Sequence, residues 1–432
     1  MKKIKKIFLP ICAISLCSCG ANIETPPIEQ PEEYPSLITD EDYLEVEGTK
    51  VKKSHGKGEE VLFKGINAGG YLVIEQWMCA FKGSKATGYL DHKTVTDIRT
   101  ERFGQEKTLE LWDYYRTNFW TDFDFEMCKE MGMNTIRLPF SYMNVDPEYN
   151  NVKKIIGQKY NFEILDDFVQ RAASYGIYTI LDLHGAYGSQ NGQDHSGESQ
   201  SREEVDFYTN EEKMSKTTDL WVAIAKHFKD NPCVAAFDLL NEPGEKAEST
   251  GEIHWKFFDR LNDAIRTIDE DRILIFESCW DGPNLPSPKK YGWENCIYSY
   301  HNYSGKFNSV EDNLGSYQSK LNSANKSNHG VPNYMGEFNC YAKKESRTTV
   351  LDLLNRNQWH YTSWTYKVND LTDKYKGWGV FTSKAKPIVP DEDSFEEIKE
   401  KMYCVDTTYL DTEITEFSDQ STLKDVLTEY LK

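Results

Sequence analysis

The stretch Ile177-Tyr178-Thr179-Ile180-Leu181-Asp182-Leu183-His184 is almost continuously apolar, rich in β-branched residues, and closes on a histidine. Such a run reads as a strand buried on both faces, as expected where helices cover a parallel sheet. A helix-period segment, Asn161–Tyr175, precedes it. Outward from this pair the same pattern recurs. Further strands are predicted at Val61–Asn67, Asn134–Pro139, Val234–Asn241, Arg272–Glu277, Cys296–His301, Asn333–Glu337 and Tyr361–Tyr366. Helical periodicity fills Asp122–Met131, Glu211–Lys229, Glu252–Ile268 and Thr348–Asn357 between them. Eight strands alternating with helices predict an α/β fold, a (β/α)8 TIM barrel forming a single catalytic domain. Tyr43–Lys52 with Gly56-Lys57-Gly58 reads as a hairpin capping the barrel floor, and the stretch from about 385 to 432 as a less regular extension ending in a polar helix.

The chain has 432 residues, 13% of them aromatic, with 70 acidic against 50 basic side chains and a net charge of −20. Plentiful aromatics and recurring apolar segments exclude a disordered chain. The acidic excess argues against a nucleic-acid partner and against electrostatic docking on anionic lipid. Lys2, Lys3, Lys5 and Lys6 followed by the apolar run Ile7–Leu16 read as an export signal, too short to span a bilayer. Its end, Leu16-Cys17-Ser18-Cys19, resembles a bacterial lipobox, which implies a signal peptide over 1–18 and lipidation of Cys19. The alternative is ordinary cleavage near Ser18 and free secretion. Residues 19–36 then form a tether: Ile23–Ser36 holds four Pro and four Glu and no apolar periodicity. The catalytic domain is expected over 37–432, exported and lipid-anchored at the bacterial envelope, and monomeric. Beyond the export segment seven cysteines remain, widely spaced and without a C-x-x-C pair, which indicates neither a disulfide framework nor a zinc site.

In such a barrel the chemistry sits at the C-terminal ends of the strands. The predicted strands end, from the second onward, in Arg137, His184, Asn241-Glu242, Glu277, His301 with Tyr303, Glu337, and Trp364 on the eighth. Charged groups are rarely buried at one mouth without a partner or a task. Glu242 and Glu337 stand on strands four and seven as a pair of carboxylates. Glycosidic hydrolysis needs two: one protonates the leaving oxygen, and the other attacks C1 or activates water. Glu277 either lines the pocket or pairs with Arg272 or Lys289.

On these residues the sequence resembles glycoside hydrolase family 5, the cellulase-like retaining barrels. The motifs are Ile136-Arg137-Leu138-Pro139, Asp182-Leu183-His184-Gly185, Leu240-Asn241-Glu242-Pro243, His301-Asn302-Tyr303, Gly336-Glu337-Phe338 and Trp364. The resemblance implies Glu242 as acid/base and Glu337 as nucleophile, with Arg137 and Tyr303 holding the nucleophile by hydrogen bonds. It implies that Asn241 binds the sugar 2-hydroxyl, that His184 and His301 bind sugar or steady the acid/base, and that Trp364 forms the floor under the sugar. Two stretches, Lys64–Trp77 and His184–Gly192, resemble the exo-β-1,3-glucanase branch more closely. There the equivalents of Glu75 and Asn191 bind the terminal sugar. Gln76 stands where that branch has a proline, and Met78-Cys79-Ala80 lacks another. The implied activity is release of glucose from β-1,3-glucan with retention. Alternatives are an endo-β-1,4-glucanase (cellulase) or mannanase of the same family, or a non-catalytic glycan-binding lipoprotein. A metal-dependent hydrolase is a third class.

No cofactor and no metal site is expected: His195 and His329, with His184 and His301, match no ligand spacing. Trp280, Trp293 and Trp378 read as sugar platforms or, more commonly, as buried packing residues, and Phe307 as a clamp at the entrance. The set Trp112, Tyr114, Tyr115, Phe119 and Trp120 reads as core.

Overall fold

The structure is a computed structural model describing residues 34–431 except 202, 245–250, 279–284, 304–308, 370–376, 384–385, 408, 412 and 414–421. The leader over 1–18, Cys19, most of the tether, Cys279, Trp280 and Phe307 lie outside the described residues. Tyr34, before the expected boundary at 37, packs on the helices of the barrel. Its hydroxyl donates to Asp122 Oδ2 at 2.9 Å, and the Arg171 guanidinium lies over its ring.

A short hairpin, β1 (Glu45–Glu47) against β2 (Lys50–Lys52), precedes the barrel. The barrel strands are β3 (Lys64–Asn67), β4 (Thr135–Ser141), β5 (Tyr178–Gly185), β6 (Val234–Asp238), β7 (Ile273–Glu277), β8 (Cys296–Asn302), β9 (Asn333–Phe338) and β10 (His360–Ser363). They close in sequence order, β10 pairing with β3, and each neighbour is parallel. Side chains alternate between two cores. Leu181, Leu183, Phe237, Leu274 and Phe276 pack outward with the helices, whereas Ile180, Ala236, Ile273, Ile275, Ile297 and Tyr334 join Leu44 and Val51 of the hairpin region. The hairpin thus closes the barrel floor, as read from the sequence. Period two then fixes the mouth: on β5, Ile180 at the floor is followed on the same face by Asp182 and His184.

The eight predicted strands are all present, with shifted ends. The fourth barrel strand stops at Asp238, so Asn241 and Glu242 stand on the loop beyond it, and the eighth stops at Ser363, leaving Trp364 past its end. Helices Asp122–Glu130, Glu163–Ser174, Glu211–His227, Glu252–Arg266, Val310–Ser327 and Lys344–Arg356 cover the outside, and His92–Phe103 and Gln105–Phe119 are inserted between β3 and β4. Trp112, Tyr115, Phe119 and Trp120 are buried core, as expected. Trp293 packs too, stacked on Phe276 with centroids 4.2 Å apart. Cys79, Cys128, Cys296 and Cys340 are buried and form no disulfide among the described residues.

The extension starts well before 385. β11 (Lys367–Asn369), β12 (Phe381–Ser383) and β13 (Tyr409–Asp411) form a second small sheet directly after the barrel closes. The segment after β12 exchanges backbone hydrogen bonds with Ala80 and Lys82 through Ile388, and Phe395 meets Phe103 edge-on. The terminal helix Leu423–Leu431, expected to be polar, buries Leu423, Val426, Leu427 and Leu431. Those positions share one helical face, which the short window and its many charges mask.

A buried ion pair ties extension to barrel. Lys367 Nζ lies 2.8 Å from Asp124 Oδ1, both fully buried, and Asp124 Oδ2 also accepts the Thr121 N–H at 2.6 Å. Removing one partner strands the other charge in a dry interior. Asp124→Ala is therefore expected to lower stability by about 3–5 kcal/mol, read from denaturant unfolding of the extension and barrel together. A loss well under about 1 kcal/mol, the size of a surface pair, would remove this pair from the account.

Candidate active site

At the centre of the mouth Arg137, on β4, is fully buried. Its Nε donates to Asp238 Oδ2 at 2.8 Å, Nη1 to Asn67 Oδ1 at 3.1 Å and to Glu337 Oε1 at 2.8 Å, and Nη2 to Asn241 Oδ1 at 2.9 Å. Asp182 Oδ1 lies 3.0 Å from the same Nη2, and Glu277 Oε2 3.8 Å. One guanidinium thus faces Asp182, Asp238, Glu277 and Glu337, and one cation cannot compensate four buried anions. Burial pushes Asp182 and Asp238 up to about 7 against the pull of Arg137, and lifts Glu277 well above the usual carboxylate range. Each raised pKa favours the neutral form and so relieves the excess negative charge.

Glu337 is aimed from two sides. Besides Arg137 on Oε1, the Tyr303 hydroxyl donates to Oε2 at 2.5 Å. The strand itself helps: the register between β8 and β9 shifts between Tyr300 and His301, which sets His301 opposite Glu337. Gly336, next to it, lies so close to β8 that an added Cβ would come within 2.5 Å of Ser299 Oγ.

Glu242 sits where the backbone turns, at φ +39°, a left-handed conformation rare outside glycine and held here by its surroundings. Its N–H donates to Glu277 Oε1 at 3.0 Å. Its carboxyl lies between two histidines: His301 Nδ1 is 2.9 Å from Oε1, and His195 Nε2 is 3.2 Å from Oε2. Burial raises the Glu242 pKa, opposed by His195, Arg137 and Lys320. His184 and His301 are pushed down to about 3 by burial, which favours the neutral ring in both. His301 Nδ1 also lies 3.4 Å from Glu337 Oε2, so a single nitrogen spans the two carboxylates. The nearest oxygens are therefore no farther apart than those two short distances combined, which is below the roughly 6.5–9.5 Å of an inverting pair.

The cavity above this pair is about 250 Å³ and is lined by Glu75, Trp77, His184, Asp194, His195, Asn241, Glu242, Tyr303, Glu337, Trp364 and Trp378. Trp364 stacks on His184 with centroids 5.4 Å apart, and His184 Nδ1 lies 2.6 Å from Asp182 Oδ2. Glu75 accepts the Trp77 indole N–H at 2.6 Å, and Asp194 accepts the Tyr89 hydroxyl at 2.6 Å. Burial and Asp194 hold Glu75 well above its ordinary pKa.

Of the residues singled out from sequence, Arg137, Glu242, Glu337, His184, Asn241, His301, Tyr303, Trp364 and Glu75 all meet at this mouth. The Asn191 amide donates to the Glu242 carbonyl at 2.9 Å. Glu277 points into the barrel beside Arg137 and pairs with neither expected partner. Arg272, at the other end of its strand, donates instead to the Phe228 and Asn231 carbonyls and sits under Tyr43. Sequence reading missed Asp194 and His195, and left Trp378 between platform and packing; the ring lines the cavity and lies 5.5 Å from Tyr303. The pair Asp182 and His184 at period two was a legible signal for the second carboxylate on Arg137.

Glu242, Glu277 and His301 bring three ligand-type atoms within 4.8 Å of one another. Those atoms already engage one another and the Glu242 N–H, so the cluster reads as a hydrogen-bonded one. Taking away the shared cation tests the charge balance. Arg137→Met is expected to cost about 3–5 kcal/mol at pH 8 and clearly less at pH 5. Without Arg137 the folded-state pKa values of Asp182 and Asp238 rise further, so the stability deficit grows as pH climbs through them. An equal deficit by urea unfolding at both pH values would contradict shared protonation.

Comparison with known proteins agrees with this geometry. The family profile described as Cellulase (glycosyl hydrolase family 5) matches residues 96–370. A "Beta-xylosidase" of Phanerodontia chrysosporium is 32% identical over 266 residues, covering 61% of this chain and 52% of that one. A "Probable glucan 1,3-beta-glucosidase A" of Aspergillus fumigatus is 29% identical over 244 residues, 56% of each chain, and a sporulation-specific glucan 1,3-beta-glucosidase of Saccharomyces cerevisiae 27% over 260 residues, 57% of this chain and 56% of that one. The chain spans about half the length of the curated relatives it matches. Among solved structures, rutinosidase from Aspergillus niger shares the fold at a TM-score of 0.57 and 15% identity, over 79% of this chain and 95% of that one. The barrel, its polar mouth and the profile match together place the chain in the cellulase family, glycosyl hydrolase family 5.

Proposed function

We propose that the chain is a retaining β-glycosidase that releases glucose from the non-reducing end of β-glucan, with β-1,3 linkages as the preferred substrate. The observation that carries this reading is the pair Glu242 and Glu337 spanned by one histidine nitrogen, with the two carboxyl groups in unlike surroundings. Glu242, its pKa raised by burial, is the acid: it protonates the glycosidic oxygen while Glu337, aimed by Arg137 and Tyr303, attacks C1. The aglycone departs, and a glycosyl–Glu337 ester remains. Glu242, now a carboxylate, takes a proton from water, which attacks C1 from the face the aglycone left, so the β-configuration returns. Asn241, held by Arg137, is placed for the sugar 2-hydroxyl, and the Trp364 face for the apolar face of the ring.

Exo action is supported by the small cavity, bounded by Glu75, Trp77 and Asp194, where the carboxyl oxygens of Glu75 and Asp194 suit the hydroxyls of a chain end. The β-1,3 preference is supported by the glucan 1,3-β-glucosidases among the relatives; the β-xylosidase among them makes xylosides the first competitor to try. The test follows product anomers by NMR on linear β-1,3-glucan. β-Glucose appearing first is the expected outcome. Oligomers from β-1,4-glucan or mannan would move the substrate, and glycan binding without turnover, unchanged by Glu337→Gln, would favour a binding protein. Glu337→Ala is expected to abolish turnover and regain part of it with azide. Glu242→Ala should spare substrates with good leaving groups far more than glucan, since only poor leaving groups need the proton. Equal losses on both would reverse the assignment.

We further propose that the protein is held at the cell envelope through a lipid on Cys19. The lipobox-like end of the leader supports this, and among the described residues no helix is long and apolar enough to cross a membrane. Cys19→Ser should release the enzyme from the membrane fraction; retention there would refute the anchor.

A further inference from the structure

We propose that Trp378 is a specificity-determining residue whose indole closes the glycone end of the cavity, so that one sugar unit fits beyond the bond being cleaved. The inference deepens the reading of exo action and rests on it. It starts from the circular order of the barrel. In the closed ring of strands, β10 stands four places from β6 in either direction, diametrically across the mouth. Glu242, just past β6, gives its proton to the departing oxygen, so the aglycone leaves on that side. The rest of the glycone therefore extends toward the rim of β9, β10 and β3, over the face of Trp364.

Trp378 stands on that rim. Its ring lines the cavity and lies edge-on to Trp77, from the loop after β3, with centroids 4.8 Å apart. Tyr341, just past β9, meets it edge-on at 5.0 Å, and Tyr303, just past β8, lies 5.5 Å away. At one end of this band the Trp77 indole N–H donates to Glu75 Oε2 at 2.6 Å; at the other the Tyr303 hydroxyl donates to Glu337 Oε2. The wall thus runs unbroken from Glu75 to the nucleophile carboxyl. The backbone behind it is fixed as well. The Trp378 carbonyl accepts the Thr365 N–H at 3.0 Å and the Asn339 amide at 2.9 Å. The same amide nitrogen donates to the Trp364 carbonyl, so one side chain holds the floor under the sugar and the end wall together. Gly377, at φ +93°, permits the close approach: a Cβ there would come within 2.7 Å of the Ala342 nitrogen. The cavity so bounded, about 250 Å³, falls below the roughly 300–1,000 Å³ of sites that take drug-sized ligands.

The test reads which bond breaks first in an aryl β-laminaribioside, a β-1,3-linked glucose disaccharide on a phenol. Cleavage between the sugars gives glucose and an aryl β-glucoside. Cleavage at the aryl bond gives intact laminaribiose, and its second sugar must then lie beyond the first, where Trp378 stands. The wild-type protein is expected to give glucose at the earliest times. Trp378→Ala should release laminaribiose as about a tenth or more of the first products, a barrier gap of one tenfold step. Trp378→Leu, which keeps apolar bulk against Tyr341, takes its place if the alanine variant is unfolded by near-UV circular dichroism. A ring that merely packs would lower the rate without changing which bond breaks. Glucose alone from the folded variant overturns the proposal and leaves exo action standing, whereas laminaribiose from the wild type overturns exo action and the closed end with it. If turnover is confined to xylosides, the same two product patterns on an aryl β-xylobioside decide the matter.

Discussion

Everything at the mouth of this barrel hangs on how one buried guanidinium is shared. The Arg137 donors reach Asn67 on β3, Asp238 on β6, Asn241 just past β6 and Glu337 on β9, with Asp182 of β5 in ion-pair range. A planar fork with fixed donor directions does this where an ammonium would not. Each contact sets something else. The Asn241 amide is oriented because its oxygen is taken, and the Glu337 carboxylate is aimed because one oxygen is anchored. Taking an arginine out of water is expensive, and its carboxylate partners return that cost only as a complete set. The site is therefore a unit, whose members cannot be exchanged one by one.

Around that centre, the loop after β5 works as a brace. Gln190 donates to the carbonyls of His184 and Asn241, and Asn191 to the carbonyl of Glu242. These contacts hold a chain that leaves β6 through the left-handed Glu242 at φ +39°, with Gly244 at φ +84° facing Gln190 and Asn191. A conformation rare for a non-glycine residue persists only when its surroundings over-determine it. Here a Glu277 carboxyl oxygen accepts the N–H of that same residue, so the left-handed backbone is tied to the buried cluster. The loop and the strand below cooperate to present one carboxyl group at one angle.

Much of this was legible in the chain itself. Continuous apolar runs ending in Arg137, His184, Glu242, His301 and Glu337 gave the barrel, and strand ends gave the mouth, because period two and parallel register are enforced by the core. Glu277 had the right parity with Ile273 and Ile275 to point inward, and its expected partner Arg272 lay at the opposite end of a strand rising about 3.3 Å per residue. What stayed hidden is carried by loops, where no period sets side-chain direction. His195, which matched no ligand spacing, lies beside Glu242, and the Asn191 amide holds the Glu242 carbonyl. Trp378 arrives from the segment after the barrel, and only folding shows that it lines the cavity. The terminal helix failed for a different reason: its apolar stripe is a few residues long among many charges.

The protonation pattern connects these observations to turnover on the proposed reading. Burial favours the neutral rings of His184 and His301, which in that form serve as fixed hydrogen-bond partners and add no charge. The formal charge of the pocket is then set by its carboxyl groups against Arg137, and each proton held by Asp182, Asp238 or Glu277 relieves repulsion on Glu337. A retaining cycle moves a proton out with the aglycone and back in with water, leaving net charge unchanged after each turnover. A dry, proton-rich shell suits that cycle, because the charge that develops in the pocket meets fixed groups which need not reorganise. The same burial that makes the cluster costly to fold raises the pKa of Glu242, the direction that its proposed part as the acid asks for.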